Sequence, residues 1–244
     1  MDTFTLILKK TEDVADRTRM FVFEKPEGFS FRAGQYVAMR IPVERLVEPD
    51  DRAGVRSFSI ATAPGEDGLA FVMREGVSGF KKTMWNLRTG DAVGCTGAVG
   101  ECVVPDSDPR PIVLLAGGVG IAPARSMLRD AVMKGDGRKY ALFYANRTLS
   151  DAAFHEEFLN LTLSDFTYIY TLSQSEHDPS EPGDERGYIT TEMIGRYLPE
   201  WRQARYYVIG APGFVTAMKD MLLASGIDES VILMDPFAGL ESKK

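Results

Sequence analysis

Apolar and polar positions follow one rhythm in the first hundred residues and another afterwards. Short runs rich in Phe, Val, Ile and Thr recur at 4–8, 20–23, 36–41, 55–61, 69–73 and 92–96. Turn residues divide them, as in Pro26-Glu27-Gly28, Pro64-Gly65-Glu66-Asp67-Gly68 and Thr89-Gly90-Asp91. Such short, closely spaced strands predict an antiparallel Greek-key β-barrel. One helix is expected to interrupt them, over 79–87, with Ser78 as its N-cap. Pro105-Asp106-Ser107-Asp108-Pro109-Arg110-Pro111 then breaks the pattern, because three prolines and two aspartates in seven residues do not suit a regular element. Beyond it, strand-like runs at 112–116, 140–145, 167–171, 206–209 and 231–234 alternate with helix-like stretches at 123–133, 151–159, 190–197 and 212–224. That alternation predicts βαβ units and a parallel sheet. The chain is therefore expected to form two domains, 1–107 and 108–244.

Two polar stretches stand outside these elements. Residues 43–54, with Glu44, Glu48, Asp50 and Asp51, are expected to form an exposed, solvated loop. Residues 173–187 are acidic and carry Pro and Gly; they are long for a loop and read either as a lid or as a mobile connection.

Composition narrows the function. The 244 residues are 44% hydrophobic and 26% charged, a globular balance, and the net charge of -7 argues against nucleic acid or an anionic membrane surface as the main partner. Cys95 and Cys102 are the only cysteines; they lack CxxC spacing and cannot hold an iron–sulfur cluster, so buried thiols are expected. His155 and His177 are the only histidines and lie far apart, which leaves no metal site in view. The N-terminus has no signal-peptide pattern and no apolar run reaches membrane-spanning length, so a cytoplasmic protein is expected.

Two segments carry chemistry. Leu114-Leu115-Ala116-Gly117-Gly118-Val119-Gly120-Ile121-Ala122-Pro123 joins a buried strand to a helix through glycines. Such a turn lets backbone N–H groups approach an anion with no Cβ in the way, and the helix start adds favourable dipoles. The spacing is GxGxxP, not GxGxxG, and Pro123 suits a first helical turn. A turn kept glycine-rich for close packing alone is the competing reading. The second segment is Arg56-Ser57-Phe58-Ser59-Ile60. An arginine can clamp a pyrophosphate, an aromatic can stack on a ring system, and a hydroxyl can bond a ring nitrogen. Side chains alternate along a strand, so Arg56 and Phe58 share one face, and Ser57 and Ser59 the other. An ordinary amphipathic strand is the alternative.

Together these segments resemble the ferredoxin–NADP reductase superfamily. Arg56-Ser57-Phe58-Ser59 is similar to its Arg-x-Tyr/Phe-Ser flavin motif, and 116–123 to its pyridine-nucleotide loop. Further matches follow in the family's order: Ala33-Gly34-Gln35-Tyr36-Val37, Asn146-Arg147-Thr148, Gly210-Ala211-Pro212-Gly213-Phe214 and Asp235-Pro236-Phe237-Ala238-Gly239. The resemblance implies a flavin barrel followed by a Rossmann-like nucleotide-binding domain, with FAD and NAD(P)H as cofactors. It implies Arg56 on the FAD pyrophosphate, Ser57 and Phe58 near the flavin, and Ser59 at its N5. It also implies that the backbone of Val72, Met73 and Arg74 lines the phosphate or adenosine region, with Gly79, Phe80, Lys81 and Lys82 nearby. For the nicotinamide nucleotide it implies Gly117, Gly118, Val119, Gly120, Ile121 and Pro123 at the pyrophosphate. Asn146, Arg147 and Ser173 would lie on the adenosine side, and Gly210, Ala211, Pro212 and Phe214 by the nicotinamide. Ser59, Asp235 and Phe237 would border the hydride-transfer site.

Three departures from the family pattern bear on that expectation. Its second flavin motif is usually GxxS/T, whereas here the chain reads Ser78-Gly79-Phe80-Lys81-Lys82-Thr83. Ile209 stands where the family has a cysteine, and Asp235 where it has a glutamate. The resemblance thus implies an FAD-dependent NAD(P)H oxidoreductase passing electrons to a redox protein such as a ferredoxin or flavodoxin. The alternatives are the reductase component of an oxygenase, a ferric or small-molecule reductase, and a flavin-binding regulatory subunit with little turnover.

Overall fold

The computed structural model describes residues 2–174 and 184–237. His177, Ala238 and Gly239 lie outside the described residues. The chain divides into two units, Met1–Val104 with Arg125–Asp130, and Pro105–Ala124 with Ala131–Lys244.

The first unit contains β1 (Thr3–Ala15), β2 (Thr18–Phe23), β3 (Tyr36–Arg40), β4 (Val55–Ser59), β5 (Leu69–Arg74), α1 (Gly79–Trp85) and β6 (Ala92–Thr96). These strands form an antiparallel sheet in the order β4-β3-β6-β1-β2-β5. A bridge between Ile60 and Phe71 links its two ends and makes it barrel-like; there the Ala61 N–H donates to Ala70 O at 2.8 Å. Alternation sends Leu6, Leu8, Phe21, Phe23, Val37 and Met39 inward, where they are buried. Each such side chain contributes about 1.5–3 kcal/mol on leaving water. β1 continues well past the predicted 4–8. Its first part pairs with β6 and its later part with β2, as an exposed ribbon whose polar residues carry no alternating signal. Ser78 caps α1 as expected: its Oγ accepts from the Lys81 N–H at 3.3 Å.

The second unit contains β7 (Ile112–Gly117), α2 (Ile121–Lys134), β8 (Tyr140–Asn146), α3 (His155–Leu159), β9 (Phe166–Leu172), β10 (Asp184–Arg186), α4 (Thr191–Tyr197), β11 (Arg205–Gly210), α5 (Pro212–Ala224) and β12 (Ile232–Pro236). The central turns of α2 are grouped with the first unit. The sheet is parallel, in the order β10-β9-β8-β7-β11-β12. Strand order therefore reverses between β7 and β11, the topological switch point at which open α/β sheets form their ligand crevice. β7, β8 and β11 are almost wholly buried, which explains their near-continuous apolar runs.

Three expectations need correction. The helix over 151–159 is only His155–Leu159; a 3-10 turn at Leu149–Asp151 precedes it, and Phe154 adopts a φ of 63° that no helical pattern reveals. The segment 173–187, read as a loop, contributes β10, whose three residues are too few to register as a strand. The last strand begins at Ile232, after a 3-10 turn at Glu229–Val231.

The amino ends of these parallel strands carry the charged groups. Asp108 accepts from Arg110 at 2.6 and 2.8 Å and from Arg205 at 2.6 Å. Hydrogen bonds from Arg110 outweigh the effect of burial and hold its carboxyl far below the usual range. Asp136 is paired with Arg138 and accepts from the Tyr140 hydroxyl at 2.8 Å. The Arg138 hydrogen bonds pull its pKa down to about 2.

Candidate functional site

In the first unit, β4 pairs with β3 so that Ser59 lies opposite Tyr36 and Ser57 opposite Ala38. Ser57 is exposed and Ser59 buried. Arg56 emerges on the opposite face, and its partners are acids. Its Nη2 donates to Asp50 Oδ2 at 2.8 Å and to Asp51 Oδ1 at 3.1 Å, and its Nη1 to Val55 O at 2.8 Å. The Asp50 side chain is 0% exposed and that of Arg56 11%. Asp50 also accepts from the backbone N–H groups of Phe80 at 3.0 Å and Arg52 at 2.9 Å. Burial alone would raise the Asp50 pKa; these N–H groups and the Arg56 guanidinium reverse that and hold it below the ordinary carboxylate value.

This corrects the reading of 43–54 as a solvated loop. The segment lies against α1: a Cβ at Gly79 would come within 2.1 Å of Glu48 O, and the Val47 N–H donates to Thr83 Oγ1 at 3.0 Å. Phe80 is wholly buried and stacks on Phe58, with ring centroids 5.8 Å apart. The two lysines differ. Lys82 pairs with Glu48 at 2.6 Å, whereas Lys81 donates to Arg74 O at 2.9 Å. Burial, then repulsion from Arg56 and Arg74, lowers the Lys81 pKa. Val72 and Met73 are both buried on opposite faces of β5, Met73 in the core of the first unit, and β5 is an end strand, so the backbone of 72–74 has a strand, β2, on one side only.

In the second unit, the separated motifs meet at the carboxyl ends of the parallel strands. Gly117 ends β7, and Gly118–Gly120 form a 3-10 turn into α2. The glycines differ in what they allow. A Cβ at Gly120 would lie 2.5 Å from Ile209 O, so this position serves close approach of β11. Gly118 has a φ of 53° and open space where a Cβ would be. Gly117 and Gly210 both border the Phe214 ring, at 3.1 and 3.0 Å from their notional Cβ atoms. Ala211 and Pro212 start α5, as an N-cap and a first-turn proline. Ile209 and Asp235, the two departures from the family pattern, lie directly opposite each other on β11 and β12, and the Phe237 N–H donates to Gly210 O at 2.8 Å. Val119 is half-buried, while Ile121 is buried and Pro123 sits in the first turn of α2.

Asn146 ends β8. Its backbone O accepts from the Ser173 N–H at 3.0 Å, and Arg147, exposed, accepts from the Gln174 N–H at 2.8 Å. His155 belongs to an aromatic cluster: Nδ1 is 3.0 Å from the Tyr168 hydroxyl, and the ring meets Tyr170 edge-on at 4.7 Å. Burial lowers its pKa.

Sequence reasoning missed Asp50 as a partner of Arg56. It also missed Arg125 and Ser126, which donate to Ala61 O at 2.7 Å and Thr62 O at 2.6 Å, just beyond β4. An acidic pair six and five residues before Arg56 was the available signal for the first. Nothing in the helical pattern marked the second.

Comparisons with known proteins agree with this geometry. The family model of the oxidoreductase NAD-binding domain matches residues 114–220. The reductase component of propane 2-monooxygenase from Rhodococcus jostii (strain RHA1) is 32% identical over 221 residues, 87% of this chain and 57% of that protein. The reductase component of phenol 2-monooxygenase from Pseudomonas sp. (strain CF600) is 28% identical, over 85% of this chain and 58% of that protein. The chain thus spans somewhat under three-fifths of the length of these two relatives. An Amycolatopsis cytochrome P450 reductase superposes with a TM-score of 0.81 at 25% identity, covering 97% of this chain and 70% of that one. A ferredoxin NADP+ reductase from Neisseria gonorrhoeae, solved with FAD and NADP, gives 0.78 at 17% identity, covering 97% and 99%. Among the described residues, no helix is long and apolar enough to cross a membrane.

Proposed function

The chain belongs to the ferredoxin–NADP reductase superfamily, and we propose that it is an FAD-dependent NAD(P)H oxidoreductase that passes electrons to a partner redox protein. The observation that carries this reading is the convergence in the second unit. Segments from 117 to 237 bring an unhindered glycine turn, a buried amide and the Gly210–Phe237 contact to the carboxyl edge of one parallel sheet. That edge, at the strand-order reversal, suits the pyrophosphate and adenosine of a nicotinamide dinucleotide.

The first unit supports the flavin assignment by its donor set. Burial first, and then the fields of Arg56 and Arg74, lower the Lys81 pKa, and an anionic diphosphate beside these three cations would offset the repulsion on Lys81. Arg56 would hold the diphosphate by charge-assisted hydrogen bonds, which requires it to exchange at least one contact with Asp50 or Asp51. Ser59 would stand at the flavin ring. Bound FAD would accept hydride and release electrons one at a time. The residues then have three tasks: orientation, exclusion of water and support of the two ligands. Hydride transfer needs no acid or base at the carbon.

The acceptor favoured here is an oxygenase component, because relatives at about 30% identity are named as reductase components of monooxygenases. A ferredoxin or flavodoxin is the alternative. With a net charge of -7, encounter is faster with a partner that presents a basic or neutral face. The placement of Ile209 beside Asp235 motivates a second reading, a flavin-binding regulatory subunit with slow turnover.

Anaerobic titration of the yellow protein with NADH and with NADPH separates these readings. Rapid bleaching of the flavin absorbance by either nucleotide supports the enzyme. No bleaching with both supports the regulatory subunit. Absence of flavin from the native protein, with failure to take up added FAD, overturns the proposal altogether.

A further inference from the structure

Arg125–Asp130 of α2 belong to the first unit, although they stand far from its strands in sequence. Two of them reach the chain just beyond Ser59. Arg125, 9% exposed, donates from Nη1 to Ala61 O at 2.7 Å, and the wholly buried Ser126 donates from Oγ to Thr62 O at 2.6 Å. These carbonyls cannot turn to water for a donor, since every residue from Ser59 to Ala63 is buried.

The main chain alone does not complete this stretch. From Ser59 to Ala61 the strand passes from one neighbour to the other. The Ile60 N–H donates to Gln35 O at 3.0 Å, beside β3, and the Ala61 N–H donates to Ala70 O at 2.8 Å, on β5. A regular antiparallel pair would return a bond from the Ala70 N–H to Ala61 O. Here that N–H donates to Thr62 Oγ1 at 3.2 Å instead, and the Arg125 guanidinium serves the carbonyl. Successive carbonyls of an extended chain point to opposite sides. Two of them received by adjacent residues of one helix therefore fix a bend, and the chain does bend at Thr62.

Resting on the reading of Ser59 as the residue at the flavin ring, we propose that Arg125 and Ser126 are positioning residues of the flavin site. They pin the far end of the Ser59–Ala61 crossing and so set where the Ser59 hydroxyl stands against the ring nitrogen. A hydrogen bond weakens steeply as its angle departs from linear, so a small drift of that strand end is felt at the ring. Arg129 supplies the contrast. It donates to Glu66 Oε1 at 2.6 and 2.9 Å, and Glu66 Oε2 accepts from the Ala63 N–H at 2.7 Å. That brace steadies the turn after the bend, beyond the crossing.

The test uses the flavin-loaded full chain carrying Ser59→Ala, Ser126→Ala, both together, Arg125→Gln, Arg125→Lys or Arg129→Gln. The flavin midpoint potential is read by reductive titration against a reference dye, the FAD dissociation constant by fluorescence, and thermal melting on flavin-free protein. Ser59→Ala is expected to shift the potential and to weaken FAD roughly two- to tenfold. Ser126→Ala and Arg125→Gln shift both in the same direction by less, and Arg125→Lys, which keeps a donor, stays nearer the wild type. The double variant equals Ser59→Ala alone, because the Ser126 effect runs through the Ser59 hydroxyl. Arg129→Gln lowers the melting temperature and leaves the potential unchanged. Lower melting of Ser126→Ala with an unaltered potential shows a structural brace only and overturns the inference. Additive shifts in the double variant, or an equal shift in Arg129→Gln, overturn it as well. Should Arg125→Gln fail to fold, Ser126→Ala decides alone. If Ser59→Ala leaves both potential and FAD affinity untouched, or the wild-type chain takes up no FAD, the flavin reading itself fails, a result distinct from a Ser126 that is uncoupled from Ser59.

Discussion

The two binding regions are built on opposite principles. In the first unit the charged groups sit in the candidate region itself, and they already have partners: Arg56 with Asp50 and Asp51, Lys82 with Glu48, Lys81 with Arg74 O. In the second unit the paired charges, Asp108 with Arg110 and Arg205, and Asp136 with Arg138, stand at the amino ends of the strands. The carboxyl ends around Gly118 hold glycines and a neutral amide, with Arg147 and Asp235 as neighbouring charges. An anion can thus be met either by cations that internal acids hold in place or by main chain left unobstructed. The difference teaches where substitutions will be felt. In the first unit, stability and ligand binding move together, because the same side chains serve both. In the second they come apart.

The sharpest break is Arg56→Ala. It leaves the Asp50 carboxylate buried without its cation, a change that typically costs about 3–5 kcal/mol. The expected outcome is a lower urea midpoint in flavin-free protein, along with loss of yellow colour on purification. Adding Asp50→Asn to that variant should recover much of the stability, since Asn keeps an acceptor for the Phe80 N–H without the charge, but should not recover flavin. Unchanged melting and full colour in Arg56→Ala would sink this account of the first unit.

Within the second unit the glycines offer a contrast of their own. Gly120→Ala forces a Cβ toward the Ile209 carbonyl and is expected to lose roughly 2–3 kcal/mol in chemical denaturation. Gly118→Ala meets only backbone strain, about 1 kcal/mol, yet should weaken NADH binding in a fluorescence titration. Equal stability losses at the two positions would show that both glycines serve the same purpose.

Acid tests the paired charges at the amino ends of the second unit's strands. The Asp136 carboxyl has a folded pKa of about 2 against an ordinary 3.8. The folded state therefore binds this proton less readily than the unfolded chain. The contribution, about 2 kcal/mol, is present above the ordinary value and is lost as pH falls from about 4 to about 2. Urea midpoints measured across that window should decline more steeply for the wild type than for Asp136→Asn.

Much of the fold was legible because it rests on local pattern. The short strands of the first unit, the alternation of the second, and the Ser78 cap follow from periodicity and turn chemistry. β10 and the far half of β1 escaped notice because backbone pairing to a neighbour, not side-chain alternation, defines them. The candidate residues of the second unit were readable as motifs, since glycine turns leave a local signature. Their individual tasks were not: that Gly120 serves close packing while Gly118 stands open depends on where Ile209 lies, nearly ninety residues away. Asp50 was misjudged for a similar reason. An aspartate in a polar loop looks solvated until a helix and an arginine close over it.

The ring of Phe214 rests against both Gly117 and Gly210, at the tips of the two central strands. A methyl group at either glycine would require the ring to give by a few tenths of an ångström, and at Gly210, with its φ of 155°, it would also strain the backbone. Redesign of this corner, for instance to admit a bulkier coenzyme analogue, therefore has to treat the aromatic and the two glycines as one packing unit.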